Sequence, residues 1–313
     1  PVLLAKLLAD YLPQHLNTTY LTNSGTEAVE GALKLAKRVT GRAEIIAAKN
    51  AYHGNTMGAM SVMGYELRKS AYRPLIPGTR FIEFNNNDDI VYINRQTAAV
   101  ILETIQGGAG FILPNEGYLK KVKKRCEEVG AMLILDEIQP GIGRTGKLFA
   151  FMDHGATPDI LVVGKGLGGG LPVGAFIADQ KHMAKLKDSP SLGHITTFGG
   201  NPVIAAACRA TLETIFKSNL IEATLRKEKL FRNVLVHPKI KVIRGKGLML
   251  ALIMDDAKTA QGLVKGCINE GVLLFFLLFE PAAVRISPPL TISEKQIKKA
   301  CNTIIKVLDR MQC

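Results

Sequence analysis

The chain has 313 residues, 47% of them hydrophobic and 21% charged, which describes a globular protein with a large core and room for two domains. Its longest apolar run, residues 272–279, is too short to span a bilayer, and its five cysteines (Cys126, Cys208, Cys267, Cys301 and Cys313) show neither a CxxC pair nor metal spacing; an odd, scattered set fits a reducing cytosol. The net charge of +13 raises the question of nucleic acid, but the densest cluster, residues 120–125, lies on a helical pattern beside Glu127 and Glu128 with no aromatic-interleaved basic motif, so it is read as a solvated face and a field favouring anionic ligands.

The chain starts at Pro1, inside an amphipathic helical pattern over residues 3–12. No charged, then apolar, then small-residue signal layout is visible, and the cysteines point to a cytoplasmic setting. The helical pattern would expose an apolar face if it stood alone, so a preceding segment of the protein is expected. Ser24-x-x-Glu27 fits a capping box ahead of a helix over residues 28–39. Strand-like runs at 20–22, 45–48, 81–84, 99–102, 132–135, 160–163 and 174–178 alternate with helical stretches such as Tyr118–Val129. This alternation predicts an α/β domain with a mostly parallel, helix-covered sheet. A helix from Pro202 to about Phe216 leaves that unit. From Asn219 the pattern becomes a helix, strands near 241–254, a helix, strands near 271–286 and a terminal helix, which reads as a smaller α+β unit. The expected division is a large domain over residues 1–216 and a small C-terminal domain over 217–313.

Two strand ends carry the chemistry. The run 132–135 closes on Asp136, and the run 160–163 closes on Gly164-Lys165-Gly166, with Gly168, Gly169 and Gly170 following. In open α/β sheets, ligands sit outside the carboxyl ends of the strands. A desolvated lysine there loses its proton readily and can join a carbonyl as a Schiff base. A fixed carboxylate is the partner that a protonated pyridine nitrogen needs. Together the two residues point to pyridoxal 5'-phosphate (PLP), although Asp136 alone also reads as a cap or salt-bridge partner and Lys165 alone as a loop charge. Ser24, Gly25 and Thr26 offer the N–H groups of a helix start to a phosphate, or form a plain cap. Tyr52 can stack on a pyridine face or pack in the core. His53 shows no carboxylate or cysteine partner at metal spacing, and no metal site is expected. Gly164-x-Gly166-x-x-Gly169 matches the dinucleotide fingerprint, but it runs into a turn and another strand instead of a helix and is rejected.

The ordered series Ser24-Gly25-Thr26-Glu27-Ala28, Tyr52-His53-Gly54, Glu103-x-Ile105-Gln106-Gly107, Asp136-Glu137-Ile138-Gln139, Gly143-Arg144-Thr145-Gly146, Lys165-Gly166-x-Gly168-Gly169-Gly170 and Thr197-Phe198-Gly199-Gly200-Asn201-Pro202 resembles the class III PLP-dependent aminotransferases. A weaker match, Arg285-Ile286-x-Pro288-Pro289-Leu290-Thr291, extends it almost to the C-terminus. The resemblance implies the PLP-dependent transferase fold type I. It also implies a ping-pong transfer of an amino group from an amino acid or ω-amine to a keto acid, by family habit 2-oxoglutarate. Lys165 would carry PLP and move protons, and Asp136 would hold the pyridine nitrogen. Gln139 would sit near the phenolic oxygen, and Tyr52 would stack on the ring where the family usually has Phe. Ser24, Gly25 and Thr26 would bind the phosphate, His53 would belong to the cofactor site, and Glu103 would lie behind the ring. Arg285 would fork a substrate carboxylate. Thr197 would reach the cofactor phosphate of a neighbouring subunit, which implies a homodimer with shared sites.

The chain departs from that pattern at two positions. Asn55 follows His53-Gly54 where the ornithine, acetylornithine and 4-aminobutyrate enzymes typically have Arg, and Gly108 follows Gln106-Gly107 where many relatives have a Glu that masks the second arginine. The keto-acid half-reaction is therefore expected to run through Arg285, and the donor to lack a carboxylate at the Asn55 end, as diamines and other ω-amines do. A class III racemase or aminomutase, or an acetylornithine or ornithine aminotransferase of arginine metabolism, are the alternatives.

Overall fold

The computed structural model describes residues 1–311, so Cys313 lies outside the described residues. Strands β1 (Thr18–Thr22), β2 (Glu44–Ala48), β3 (Thr79–Ile82), β4 (Thr97–Glu103), β5 (Met132–Asp136), β6 (Ile160–Gly164) and β7 (Gly174–Ala178) form one sheet in the order β1-β7-β6-β5-β4-β2-β3. Neighbours from β6 to β3 pair in parallel, and β7 runs antiparallel to both β6 and β1. Two reversals return β1 to the direction of β6, so every strand except β7 ends at the same edge. Every residue of β4, β5, β6 and β7 is buried, as continuous apolar runs in a helix-covered sheet require.

The helix Gly25–Thr40 covers one face through Ala28, Val29, Ala32 and Ala36, small residues that let it lie close to β6 and β7. The helices Val2–Asp10, Tyr118–Val129 and Pro202–Lys217 cover the other face. Leu4 and Leu8 are buried in that core, while Val2 and Leu3 are exposed. The helix Tyr118–Val129 stops at Gly130, whose left-handed φ of 70° ends the turn. Its basic face is solvated and ion-paired, Lys123 to Asp159 at 2.7 Å and Arg125 to Glu128 at 3.2 Å. The strand expected at 81–84 lies two residues earlier. Its pairing with β2 runs from Ile45 opposite Thr79 to Ala48 opposite Ile82, and Phe84 packs edge-on against Tyr118 instead.

Strands β8 (Ile240–Lys246), β9 (Met249–Met254), β10 (Phe275–Phe276) and β11 (Ala283–Ile286) form a second, antiparallel sheet in the order β10-β11-β9-β8. The helices Leu220–Val234, Ala257–Asn269 and Glu294–Arg310 pack on it. The last is fixed at its start by a capping box between Ser293 and Gln296. Its buried Ile297, Ile304 and Leu308 each contribute about 1.5–3 kcal/mol. The stretch 271–286 yields only the short strands β10 and β11, because Leu277 turns into the core between the sheets and Phe279 donates its N–H to Gly108 O at 2.9 Å. Among the described residues no helix is long and apolar enough to cross a membrane.

Candidate active site

The common strand edge gathers the polar residues. In register, Glu103 at the end of β4 lies opposite Asp136 at the end of β5, and Asp136 lies opposite Val162 of β6, three residues before Lys165. Asp136 is 4% exposed. Its Oδ1 accepts the Ile138 N–H at 3.0 Å and its Oδ2 lies 2.8 Å from His53 Nδ1. A carboxylate only accepts, so Nδ1 carries the hydrogen, and His53 Nε2 is left buried without a partner among the described residues. His53 thus has a carboxylate partner after all. It stands 83 positions away, beyond any local spacing pattern.

Glu103 is buried and accepts two backbone N–H groups, from Tyr52 at 3.1 Å and from Gly107 at 2.9 Å. It therefore fixes the backbone on which both Tyr52 and the loop before Gly108 rest. Burial, more than any neighbour, pushes its carboxyl up to about 7; His53 pulls it down and Asp136 pushes it further up.

Lys165 is open to the cavity. The protein around it still lowers its pKa, chiefly by desolvation, with the charge of Arg285 assisting and Asp136 and Glu103 opposing. Its amine has no hydrogen bond or ion pair among the described residues. Its backbone φ of 41° is left-handed, a conformation that a non-glycine residue holds only where its surroundings enforce it.

The helix Gly25–Thr40 starts beside this lysine. The Ser24 hydroxyl accepts the Glu27 N–H at 3.3 Å, but the return arm of the expected capping box goes elsewhere: Glu27 accepts from the Asn23 N–H at 2.8 Å and Asn23 Nδ2 at 3.0 Å. One oxygen collects both donors of Asn23, and the first N–H groups of the helix, those of Gly25 and Thr26, have no intrahelical partner. A Cβ at Gly25 would lie 2.7 Å from Ile138 Cδ1, so a larger residue there would have to displace the Ile138 side chain from the helix start.

A cavity of about 580 Å³ is bounded by Thr26, Tyr52, His53, Asp136, Lys165 and Arg285, and Ser24, Gly25, Asn55, Glu103 and Gln139 also line it. Thr197 is not among them; it lies on an exposed loop outside the cavity. A second cavity of about 700 Å³ shares Ile138, Gln139, Lys165 and Arg285 with the first. Two contributors had no role in the motif pattern. Phe275, Phe276, Leu277 and Leu278 form an apolar wall of the first cavity, where the run 272–279 showed only hydrophobicity. Arg144, inside the Gly-rich motif after Asp136, donates to Leu248 O at 3.3 Å and to Pro288 O, tying that loop to the second sheet.

The residues fit PLP: an unpartnered lysine amine, a fixed carboxylate and free helix N–H groups open on one cavity. Such a fold and site define a PLP-dependent transaminase of fold type I. The family description Aminotransferase class-III matches residues 1–308, and the chain belongs to that family. It is 30% identical to an ornithine aminotransferase from Toxoplasma gondii ME49, with a TM-score of 0.91 over 98% of this chain and 76% of that one. A second structure of the Toxoplasma gondii ornithine aminotransferase, with partial occupancy of PLP at the active site, is 31% identical over 98% of this chain and 75% of that one, TM-score 0.89. An adenosylmethionine-8-amino-7-oxononanoate aminotransferase from Methanocaldococcus jannaschii DSM 2661 is 33% identical, with a TM-score of 0.90 over all of this chain (100%) and 80% of that one. The family is fixed, while relatives of similar closeness carry different substrate names.

Proposed function

We propose that this aminotransferase takes its amino group from a diamine or other ω-amine that lacks a carboxylate at its far end, and passes it to a dicarboxylic keto acid such as 2-oxoglutarate. When bound, PLP supplies a carbonyl that joins an amine and a ring that draws electrons from it. Lys165 would hold the cofactor and, being open to the cavity with a lowered pKa, would take and return a proton at the substrate carbon. Asp136 keeps a proton on the pyridine nitrogen, and His53 fixes the carboxylate in place. Gly25 and Thr26, with Ser24, would hold the phosphate, Tyr52 the ring and Gln139 its phenolic oxygen, while Glu103 fixes the backbone of Tyr52 and Gly107. Arg285, half-buried and without an ion pair among the described residues, forks the keto-acid carboxylate.

The observation that carries the donor assignment is the lining of the cavity that holds Lys165. Asn55 brings no charge, Gly108 brings no side chain, and the adjoining wall is Phe275, Phe276 and Leu278. A donor carboxylate set against Asn55 and Gly108 meets no charged group on those two residues, and the one arginine in the same lining, Arg285, is assigned to the keto acid. We further propose that residues 1–216 and 217–313 are separate domains, that Thr197 serves the cofactor of a second copy in a cytoplasmic homodimer, and that this accounts for its place outside its own cavity. Comparison of kcat/KM for putrescine, ornithine, acetylornithine and 4-aminobutyrate with 2-oxoglutarate tests the donor. Putrescine is expected to lead, and a clear preference for acetylornithine overturns the assignment.

A further inference from the structure

β10 and β11 pair antiparallel with Phe275 directly opposite Arg285, which puts the two side chains on one face of the small sheet. The Arg285 guanidinium carbon lies 5.1 Å from the centroid of the Phe275 ring, over its face. Both side chains line the cavity that holds Lys165. Phe275 is 55% exposed, so it does not serve the core. Among the described residues Arg285 makes no ion pair and no side-chain hydrogen bond, although Arg244 in the same sheet finds Glu280 at 3.7 Å. Arg285 is therefore held by a ring and not by a carboxylate.

This choice of partner has a chemical consequence. A carboxylate beside Arg285 would occupy its N–H donors and compete with any anionic substrate. An aliphatic residue would leave a long side chain free to swing. An aromatic face attracts the cation through its quadrupole and takes none of its hydrogen bonds, so the planar fork stays free for a carboxylate. We propose that Phe275 is a positioning residue. It holds Arg285 in the orientation that receives the keto-acid carboxylate and leaves its donors open in every state of the cycle. This rests on the role given to Arg285 above.

The test uses holoenzyme and glutarate, a dicarboxylate that binds without reacting, with calorimetry as the readout beside steady-state kinetics. Phe275→Leu is expected to weaken glutarate about five-fold, which is about 1 kcal/mol at 1.4 kcal/mol per tenfold. KM for 2-oxoglutarate should rise by a similar factor while kcat stays within two-fold, and Phe275→Tyr should restore both. Arg285→Gln separates the two levels. If it leaves glutarate binding unchanged, the carboxylate role of Arg285 fails and this inference falls with it. If Arg285→Gln abolishes binding while Phe275→Leu binds glutarate like wild type, the positioning role of Phe275 alone is overturned. A loss of kcat that Phe275→Tyr does not restore overturns it too.

Discussion

Replacing Asp136 by Asn changes one charge and little else. The amide keeps its Oδ1 for the Ile138 N–H, now accepted at 3.0 Å. Its Nδ2 faces His53 Nδ1 across 2.8 Å and can donate only if the ring hydrogen moves to Nε2, a buried atom with no partner among the described residues. That unpaired donor costs about 1–3 kcal/mol. In a chain of this size such a loss lowers Tm by about 2–5 °C. The chemical loss is larger. A unit charge about 4 Å from a protonated nitrogen contributes roughly 4 kcal/mol at an effective dielectric of about 20. Losing most of it slows the chemical step by about 10²–10³-fold. The donor half-reaction, followed by cofactor absorbance in a single turnover, measures this, and a thermal melt of the same sample checks the fold. Some PLP should remain bound through the phosphate contacts. A rate within a few-fold of wild type in PLP-loaded protein, a difference under about 1 kcal/mol, would refute the role of Asp136. So would a collapse of the fold large enough to explain the lost rate by itself.

Stability should also depend on pH through two buried acids. Burial pushes both Glu103 and Glu137 up to about 7 from 4.5, with Glu137 held by Thr104 and by the N–H groups of Ala150 and Phe151. Between those values the unfolded chain has released protons that the folded chain keeps, so stability falls as pH rises from about 4.5 to 7 and then levels off. Urea unfolding of wild type and Glu137→Gln across that range should show a shallower fall in the variant; equal slopes would contradict the assignment. A shared active site predicts that Thr197→Ala weakens cofactor retention, and that mixing Thr197→Ala with Lys165→Ala subunits yields dimers with one intact site. No activity beyond the parents would exclude it.

Asp136 and Lys165 were legible in the sequence because each closes a continuous apolar run, and a fully buried parallel strand leaves its first polar residue at the sheet edge. The helix Tyr118–Val129 was legible from its amphipathic period, and Gly117 and Gly130 bound it. Contacts made by topology were not. His53 meets Asp136 because β2 and β5 end at the same edge, with β4 between them. The Ser24 box lost its return arm because Asn23 offers Glu27 two donors where Ser24 offers one. The run 272–279 reads as strand material in hydrophobicity alone, yet Gly108 and the core between the sheets turn it into a cavity wall. The left-handed backbone of Lys165 has no signature in residue type at all, since lysine disfavours it.

The most direct test of the site is chemical. Purified holoenzyme is reduced with borohydride, which fixes the cofactor to whichever amine it had joined, then digested and analysed by mass spectrometry. The cofactor mass should appear on the peptide containing Lys165 and on no other, and Lys165→Ala should carry no label and show no transamination. Label on a different lysine, or wild-type turnover by Lys165→Ala, would contradict the assignment of Lys165.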